Sequence, residues 1–537
     1  MRTLLSVHRI GMTLAGVLLL ALGACRDVPA DLAGVDAAAL AAAKGPVDPM
    51  SKANRLPPEL ERRVGVLRAD LEATGYEVAR GYWSLWDVED CKYPLRTVGF
   101  CYGNNPVAPY AIAVVPRWKE EFVDRRLHHA ILAPQRNMTP TYRLAEREAV
   151  VVVAEMPPPA RYFGIQTNVF TREIPFNPND PILSVTAGDP LIQSILFGAS
   201  PNPARRMLFA SIGNSINNVV IEQQSETAFG QQRYFIITTD ESLAEEITEV
   251  LLRAGVPSEH VFIEPVAPAL VRVGLGSEAD DLITYIRYAM PENDVAGDAW
   301  RKRLPVTVLR IRDAGAPPTQ PFTIPDYEPR SFERDERSEL TDDLLGLVEA
   351  VRAHWSQPDA HVGYFFSAFI RLDLVGQHCL GYGSPYPNRG PMNCLGDTQD
   401  TDYQIGPLLR LDDDAVLAVV GTLATETGNA TYTSLSVNRF PALVGVANIS
   451  DPDLKGTAAG FGDFQTGDPF YVHYVARNCA GLHPCVEVST KLVAPEETIR
   501  LIQRNYVLPG SRRGPDPTKL LSPTLIVLDG RARPSGP

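Results

Sequence analysis

The chain has 537 residues, of which 45% are hydrophobic and 21% charged. That supplies a large core and length for roughly two to four domains. The formal net charge of −14, with no Lys/Arg cluster, argues against a nucleic-acid partner and against docking on anionic lipid by charge; solubility is its ordinary consequence.

Arg2, His8 and Arg9 give the start of the chain positive charge, and Met12 to Leu22 follows as an almost unbroken apolar run. A run this short fits a signal peptide better than a membrane span, which needs about 20 apolar residues. Gly23 and Ala24 then precede Cys25. Leu22-Gly23-Ala24-Cys25 resembles the lipobox of bacterial lipoproteins, a cleavage box of Leu, small residues and Cys. The resemblance implies a diacylglycerol (palmitate-type chains) on the Cys25 sulfur and cleavage of the Ala24–Cys25 bond. Residues 1–24 are then a lipoprotein signal peptide, and the membrane becomes a partner through the N-terminal acyl anchor. Arg26 stands where an Asp would retain a lipoprotein in the inner membrane, which favours the outer membrane. The expected location is the bacterial cell envelope, with the body in the periplasm or at the surface. Each buried CH₂ of an acyl chain contributes about 0.8 kcal/mol, so two or three chains hold firmly. Residues 25–56, rich in Ala, Pro, Asp and Gly, read as the acylated flexible tether. No later segment reaches about 18 uninterrupted apolar residues.

The body begins at Pro57-Pro58. Leu60, Val64, Leu67 and Leu71 share one helical face, and Gly75 ends the helix as a left-handed cap. An aromatic stretch, Tyr82 to Trp86, leads to Cys91. After Cys101 come Asn104-Asn105-Pro106 and Pro109-Tyr110, turn residues that make an ordered loop or the rim of a binding site. Val150–Val153 and Tyr162–Thr171 read as strands. Residues 234–264 carry the clearest pattern: strand Tyr234–Thr238, Asp240 as helix cap, an apolar face of Leu243, Ile247, Val250 and Leu251, a stop at Gly255 and Pro257, and strand Val261–Ile263. Strand, helix, strand with short connections is a βαβ unit, so part of the sheet is parallel. Ser277 with Asp280 predicts a further capped helix carrying Leu282, Ile283, Ile286 and Met290, before strand Val306–Ile311.

Residues 57–313 therefore form a mixed α/β domain with at least one βαβ unit. Residues 314–330 are a Pro-rich linker, and 331–537 are a β-rich, disulfide-stapled domain. The latter opens with a helix, Thr341–Trp355, followed by strands Tyr364–Leu374, Val416–Leu423, Tyr432–Val437, Leu443–Val446, Phe470–Val475 and Leu525–Leu528. Thr425–Asn429 reads as a hairpin loop between two of them.

Beyond Cys25 the six cysteines fall as close pairs: Cys91/Cys101, Cys379/Cys394 and Cys479/Cys485. An exported chain meets an oxidising compartment, which predicts three local disulfides worth roughly 2–3 kcal/mol each. Six cysteines permit 15 pairings, so the nearest-neighbour choice is an inference. The rival zinc reading lacks a C-x-x-C pair or a suitably spaced histidine.

For chemistry, Asp397, Asp400 and Asp402 crowd into one polar stretch after Cys394. They suit a Ca²⁺ loop, a pair of catalytic carboxylates, or a turn whose side chains bond nearby N–H groups. The stretch lacks the glycine and distal Glu of an EF-hand. Ser211-Ile212-Gly213-Asn214-Ser215 distantly resembles the Gly-Asp-Ser-Leu block of GDSL esterases, which makes Ser215 the candidate nucleophile. Asn214 replaces the acid of that block, and Asp468 and His473 are five apart rather than three. Among the histidines, His378 and His473 are the two to test. Arg161-Tyr162-Phe163 places a cation beside two aromatics. Tyr82–Trp86 and Tyr382–Pro387 can stack on sugars or apolar ligands. There is no G-x-S-x-G, H-E-x-x-H or Walker A motif, and Gly274-x-Gly276 lacks the third glycine of a dinucleotide loop, so no organic cofactor is expected.

The functional expectation is an exported, lipid-anchored envelope protein that binds or presents a protein or small-molecule ligand. The alternative is an envelope hydrolase with a non-standard carboxylate or serine site. Size and the α/β half lean toward an enzyme; the missing catalytic motif leans the other way.

Overall fold

The computed structural model describes residues 54–124, 127, 130–174, 205–355, 361–364, 374–384 and 390–529. Cys25, the signal segment, nearly all of the tether and most of the strand expected at Tyr364–Leu374 lie outside them, as do the side chains of Pro385–Pro387. The described residues belong to one compact unit, Lys52–Pro537. It is mixed α/β with a β-rich majority.

Eleven strands make one large sheet. They are β1 (Glu77–Trp86), β2 (Tyr110–Pro116), β3 (Met138–Thr139), β4 (Glu148–Glu155), β5 (Ala160–Glu173), β6 (Arg205–Ser211), β7 (Ile216–Asn217), β8 (Gln232–Thr238), β9 (Val261–Pro265), β10 (Asp281–Pro291) and β11 (Val306–Arg312). Their order is β6-β5-β10-β2-β1-β11-β4-β8-β9, with β3 on β2 and β7 on β5. Within this sheet, among the described residues, only β8 and β9 pair in parallel, across the βαβ unit; Asp240 caps its helix by accepting from the Leu243 N–H at 2.9 Å. The helix Pro58–Ala73 lays Leu60, Val64, Leu67 and Leu71 on Val151 and Val153, while Val150 and Val152 point into the core on the opposite face. The four-valine run is continuous because the strand is buried on both sides.

The helix expected from Ser277 is instead strand β10. Its side chains alternate: Leu282, Ile286 and Tyr288 enter one core and Ile283 and Tyr285 the other. Asp280 does not cap a helix; it pairs with Arg172 at 2.7 Å. The apparent helical spacing arose from a two-sided strand rich in Ile, Thr and Tyr, whose slot between β2 and β5 fixes the period at two.

Residues 314–330 carry no helix or strand but are pinned to the body: Thr319 and Gln320 N–H groups both donate to Asp240 Oδ2, at 2.6 and 3.0 Å. Beyond them lie β12 (His361–Tyr364), β13 (Thr401–Ile405), β14 (Leu409–Arg410), β15 (Ala415–Thr422), β16 (Tyr432–Phe440), β17 (Val444–Ser450), β18 (Phe470–Ala476), β19 (Cys485–Glu487), β20 (Thr498–Tyr506) and β21 (Thr524–Asp529). They form two sheets, β12-β21-β15-β18-β19 and β13-β20-β16-β17, with β14 on β20. Leu417, Val419, Leu435, Val437, Leu501 and Leu525 fill the space between these sheets, and the helix Thr341–His354 covers the first from outside. Thr425–Asn429 is therefore not a hairpin loop. It carries the chain from β15 in one sheet to β16 in the other.

All three expected disulfides are present: Cys91–Cys101, Cys379–Cys394 and Cys479–Cys485, with Cα separations of 5.3, 5.9 and 5.7 Å. Among the described residues no helix is long and apolar enough to cross a membrane.

Candidate functional site

Where β1 and β10 end and β2 begins, the large sheet faces the β16–β17 region across a cleft of about 840 Å³. Trp86, the last residue of β1, and Tyr110, the first of β2, stack at its base with ring centroids 5.7 Å apart. The stretch Asn104–Tyr110, which follows the loop closed by Cys91–Cys101, forms one wall. The junction between the two is tied across the cleft: Cys101 and Gly103 N–H groups donate to the Ala442 and Leu443 carbonyls, and the Asn104 carboxamide accepts from the Gly445 N–H at 2.9 Å. Gly445 is required there, since a Cβ would sit 2.4 Å from the Asn104 carbonyl oxygen. Asn105, from the same Asn-Asn-Pro turn, reaches inward and donates to the Tyr432 hydroxyl at 3.4 Å.

Part of the lining is apolar. Val88, Val107 and Leu492 are 47%, 36% and 41% exposed, so three large apolar side chains stay in water around one opening. That concentration marks a contact site rather than scattered surface. Asp87, Asp294, Asp298, Arg301, Lys302 and Asp453 supply charge around it. Asn104, Asn105 and Ser450 add polar groups, so the lining is mixed; its volume is that of a small-molecule site.

The residues singled out for chemistry lie elsewhere, in a buried polar cluster. Asp397 accepts from Ser211 N–H (2.9 Å), Ser211 Oγ (2.6 Å), Gly376 N–H (3.0 Å) and Gln399 Nε2 (2.6 Å). Asp400 accepts from the Tyr162 hydroxyl at 3.1 Å, from Asn217 Nδ2 at 3.2 Å and from Thr398. Asp402 accepts from Asn505 Nδ2 at 3.3 Å. Burial pushes Asp397 up, and pushes Asp402 up to about 6 against the opposing pull of Arg330. Oxygens already engaged by N–H and O–H groups do not make the open oxygen cage a Ca²⁺ ion needs. Among the described residues no three Asp, Glu, His or Cys side chains are placed to hold a metal. Nor is the stretch a local turn whose side chains bond nearby N–H groups: the three carboxylates reach donors far away in the sequence, from Tyr162 and Ser211 to Gly376 and Asn505.

Ser215 is buried, its hydroxyl bonded to Gln166 Oε1 and Thr398 Oγ1, both at 3.0 Å. No histidine joins it. His473 lies on β18 in a different sheet, with Nδ1 against the Tyr474 carbonyl at 3.0 Å, and burial pushes its pKa down. Arg161 forms an ion pair with Asp451, and burial raises that carboxyl against the pull of Arg161. Ser215 thus meets the acidic stretch through Thr398, but neither His473 nor Arg161. A nucleophile needs a base within hydrogen-bond reach, and Ser215 has an amide oxygen and a second hydroxyl instead.

The Asn-Asn-Pro turn, Pro109-Tyr110 and the end of the aromatic stretch at Trp86 were the parts of the cleft that the sequence signalled. Met290 and Pro291 were hidden by the helical reading of β10, and Arg287 on the same strand with them.

No family model matches the chain, and no curated protein matches it. Among solved structures, an uncharacterised Burkholderia cenocepacia protein aligns over 88% of each chain with 10% identity and a TM-score of 0.36. A likeness that weak carries no argument about fold or activity.

Proposed function

We propose that the protein is an exported, lipid-anchored component of the cell envelope, held through Cys25, that binds an extracytoplasmic ligand in the cleft above Trp86 and Tyr110. The observation that carries the binding reading is the cleft itself: about 840 Å³, with Trp86 and Tyr110 stacked in it and exposed Val88, Val107 and Leu492 around it. Three disulfides accord with an oxidising compartment. The lipobox-like Leu22–Cys25 supports the anchor.

Two measurements test this. Intact mass of protein from native membranes is expected to show a chain starting at an acylated Cys25; an unmodified full-length start overturns the anchor. Native mass spectrometry of the same material is expected to show a small-molecule adduct that Leu492→Asp removes. Bare protein that reacts with a fluorophosphonate at Ser215 overturns the binding reading in favour of a hydrolase.

A further inference from the structure

Behind the stacked Trp86 and Tyr110 lies a second, smaller cavity of about 30 Å³, lined otherwise by aromatic and aliphatic side chains, Gly396 and Arg287. Trp86 and Tyr110 line both spaces, so they are the partition between cleft and cavity. The volume admits about two waters, or a carboxylate group, but no ring.

Arg287 is 4% exposed. Its guanidinium makes two hydrogen bonds, both from Nη2: to the Tyr285 hydroxyl at 3.0 Å and the Gly396 carbonyl at 3.1 Å. Nε is buried without an acceptor, and neither of the two bonds leaves from Nη1. Among the described residues no carboxylate forms an ion pair with it. Several other buried arginines pair with carboxylates: Arg143 and Arg205 with Asp281, Arg172 with Asp280, and Arg310 with Glu121 and Glu148. Arg233, Arg477 and Arg513 have no carboxylate, but each makes three or more hydrogen bonds. Arg504 makes two, like Arg287, to Ser436 Oγ and the Gly103 carbonyl; what sets Arg287 apart is that it lines the cavity.

The groups around Arg287 supply no compensating charge. Its guanidinium lies 4.7 Å from the Tyr285 ring centre and 5.5 Å from that of Tyr110, and ring faces offset only part of the cost of burying a cation. Burial holds the Tyr285, Tyr162 and Tyr403 phenols well above their ordinary range, so they are neutral at neutral pH. Asp397 and Asp400 are occupied by the donors described above. A buried cation with spare N–H groups facing a cavity is a built receptor for an anion. The apolar remainder of the lining excludes a hydrated, multiply charged ion and admits a monoanion with an apolar body.

We propose that the cavity beside Arg287 is a carboxylate subsite, filled either by a free small carboxylate or by the carboxylate end of a longer apolar ligand whose body lies in the cleft. The second source rests on the cleft reading above; the first does not.

The test is isothermal titration of the detergent-solubilised full-length protein with acetate, octanoate and octanol. We expect octanoate to bind about tenfold or more tighter than octanol, as for a hydrogen bond to a charged group. Arg287→Met should erase that ratio and leave octanol affinity unchanged. Acetate binding that Arg287→Met abolishes, without an octanoate advantage, supports the subsite and assigns it to a free small carboxylate. Equal octanoate and octanol affinities with no acetate binding overturn the subsite and leave the cleft standing. Acetate bound while both longer ligands are silent supports the subsite and counts against the cleft as an apolar site. Silence from all three overturns both. Should Arg287→Met fail to fold, the parent protein crystallised without carboxylates and soaked in acetate decides. A carboxylate within hydrogen-bond distance of Arg287 Nη1 supports the subsite, and water alone there overturns it.

Discussion

The buried cluster around Asp397–Asp402 and the open cleft above Trp86 and Tyr110 are the two most distinctive regions of the molecule, and they are opposites. In the cluster, each Asp carboxylate and the Ser215 hydroxyl has hydrogen-bond partners within the protein. In the cleft, apolar side chains face water and space is left open. A dense run of polar residues in a sequence can look like chemistry and yet be a brace. Here Asp397 joins Ser211 at the end of β6 to Gly376 beside the Cys379–Cys394 loop, fastening the late part of the chain to the large sheet. The cleft shows no density of polar residues anywhere in the sequence, because five separate segments build it.

The largest effect that sharpens this contrast is Asp397→Ala. It orphans two N–H groups and leaves the Ser211 hydroxyl and the Gln399 amide without that acceptor. Urea unfolding should show a loss of about 3 kcal/mol or more. A loss under about 1 kcal/mol would mean the cluster is not a brace. Replacing Cys379 and Cys394 together by Ala opens a loop of sequence separation 15 and should cost about 3 kcal/mol by the same measurement.

A smaller, pH-dependent effect comes from Glu264. It is buried in the large sheet and accepts from the Thr167 N–H and hydroxyl, both at 2.7 Å, and burial pushes its pKa from 4.5 up to about 7. The folded protein therefore holds this proton more tightly than the unfolded chain. The group's contribution to stability is greatest below about 4.5 and is lost as pH rises to about 7. Asp402 acts in the same direction between 3.8 and about 6. In Glu264→Gln the unfolding midpoint should fall less between pH 5 and 7, measured as the difference from the parent. Parallel pH profiles in the two proteins would contradict the assignment. Smallest in stability is Val107→Asp at the cleft mouth: within about 0.5 kcal/mol of the parent, yet with binding of apolar fragments abolished. A large loss of stability with binding intact would reverse the roles given to the two regions.

Much of the fold was legible because single elements announce themselves. Leu60, Val64, Leu67 and Leu71 carry a helix on their own, and the caps and stops around residues 234–264 define the βαβ unit. β10 was misread because a strand buried on both faces has no polar side, so a helical spacing can be found in its apolar residues by chance. β20 was not singled out at all. Its buried Arg500, Gln503, Arg504 and Asn505 interrupt any apolar alternation, and neighbours take up the polar groups of Gln503, Arg504 and Asn505. The site was less legible still. The Asn104-Asn105-Pro106 turn stood out as a possible rim and Tyr82–Trp86 as a stacking stretch, but Met290, Val446 and Leu492 become their neighbours only through the sheet topology.

The claim that the cleft, and not the polar cluster, receives the ligand is tested most directly by soaking crystals in a panel of small apolar fragments. The account predicts fragment density against Trp86 and Tyr110 and none beside Ser215. Density beside Ser215, with the cleft empty, would contradict it.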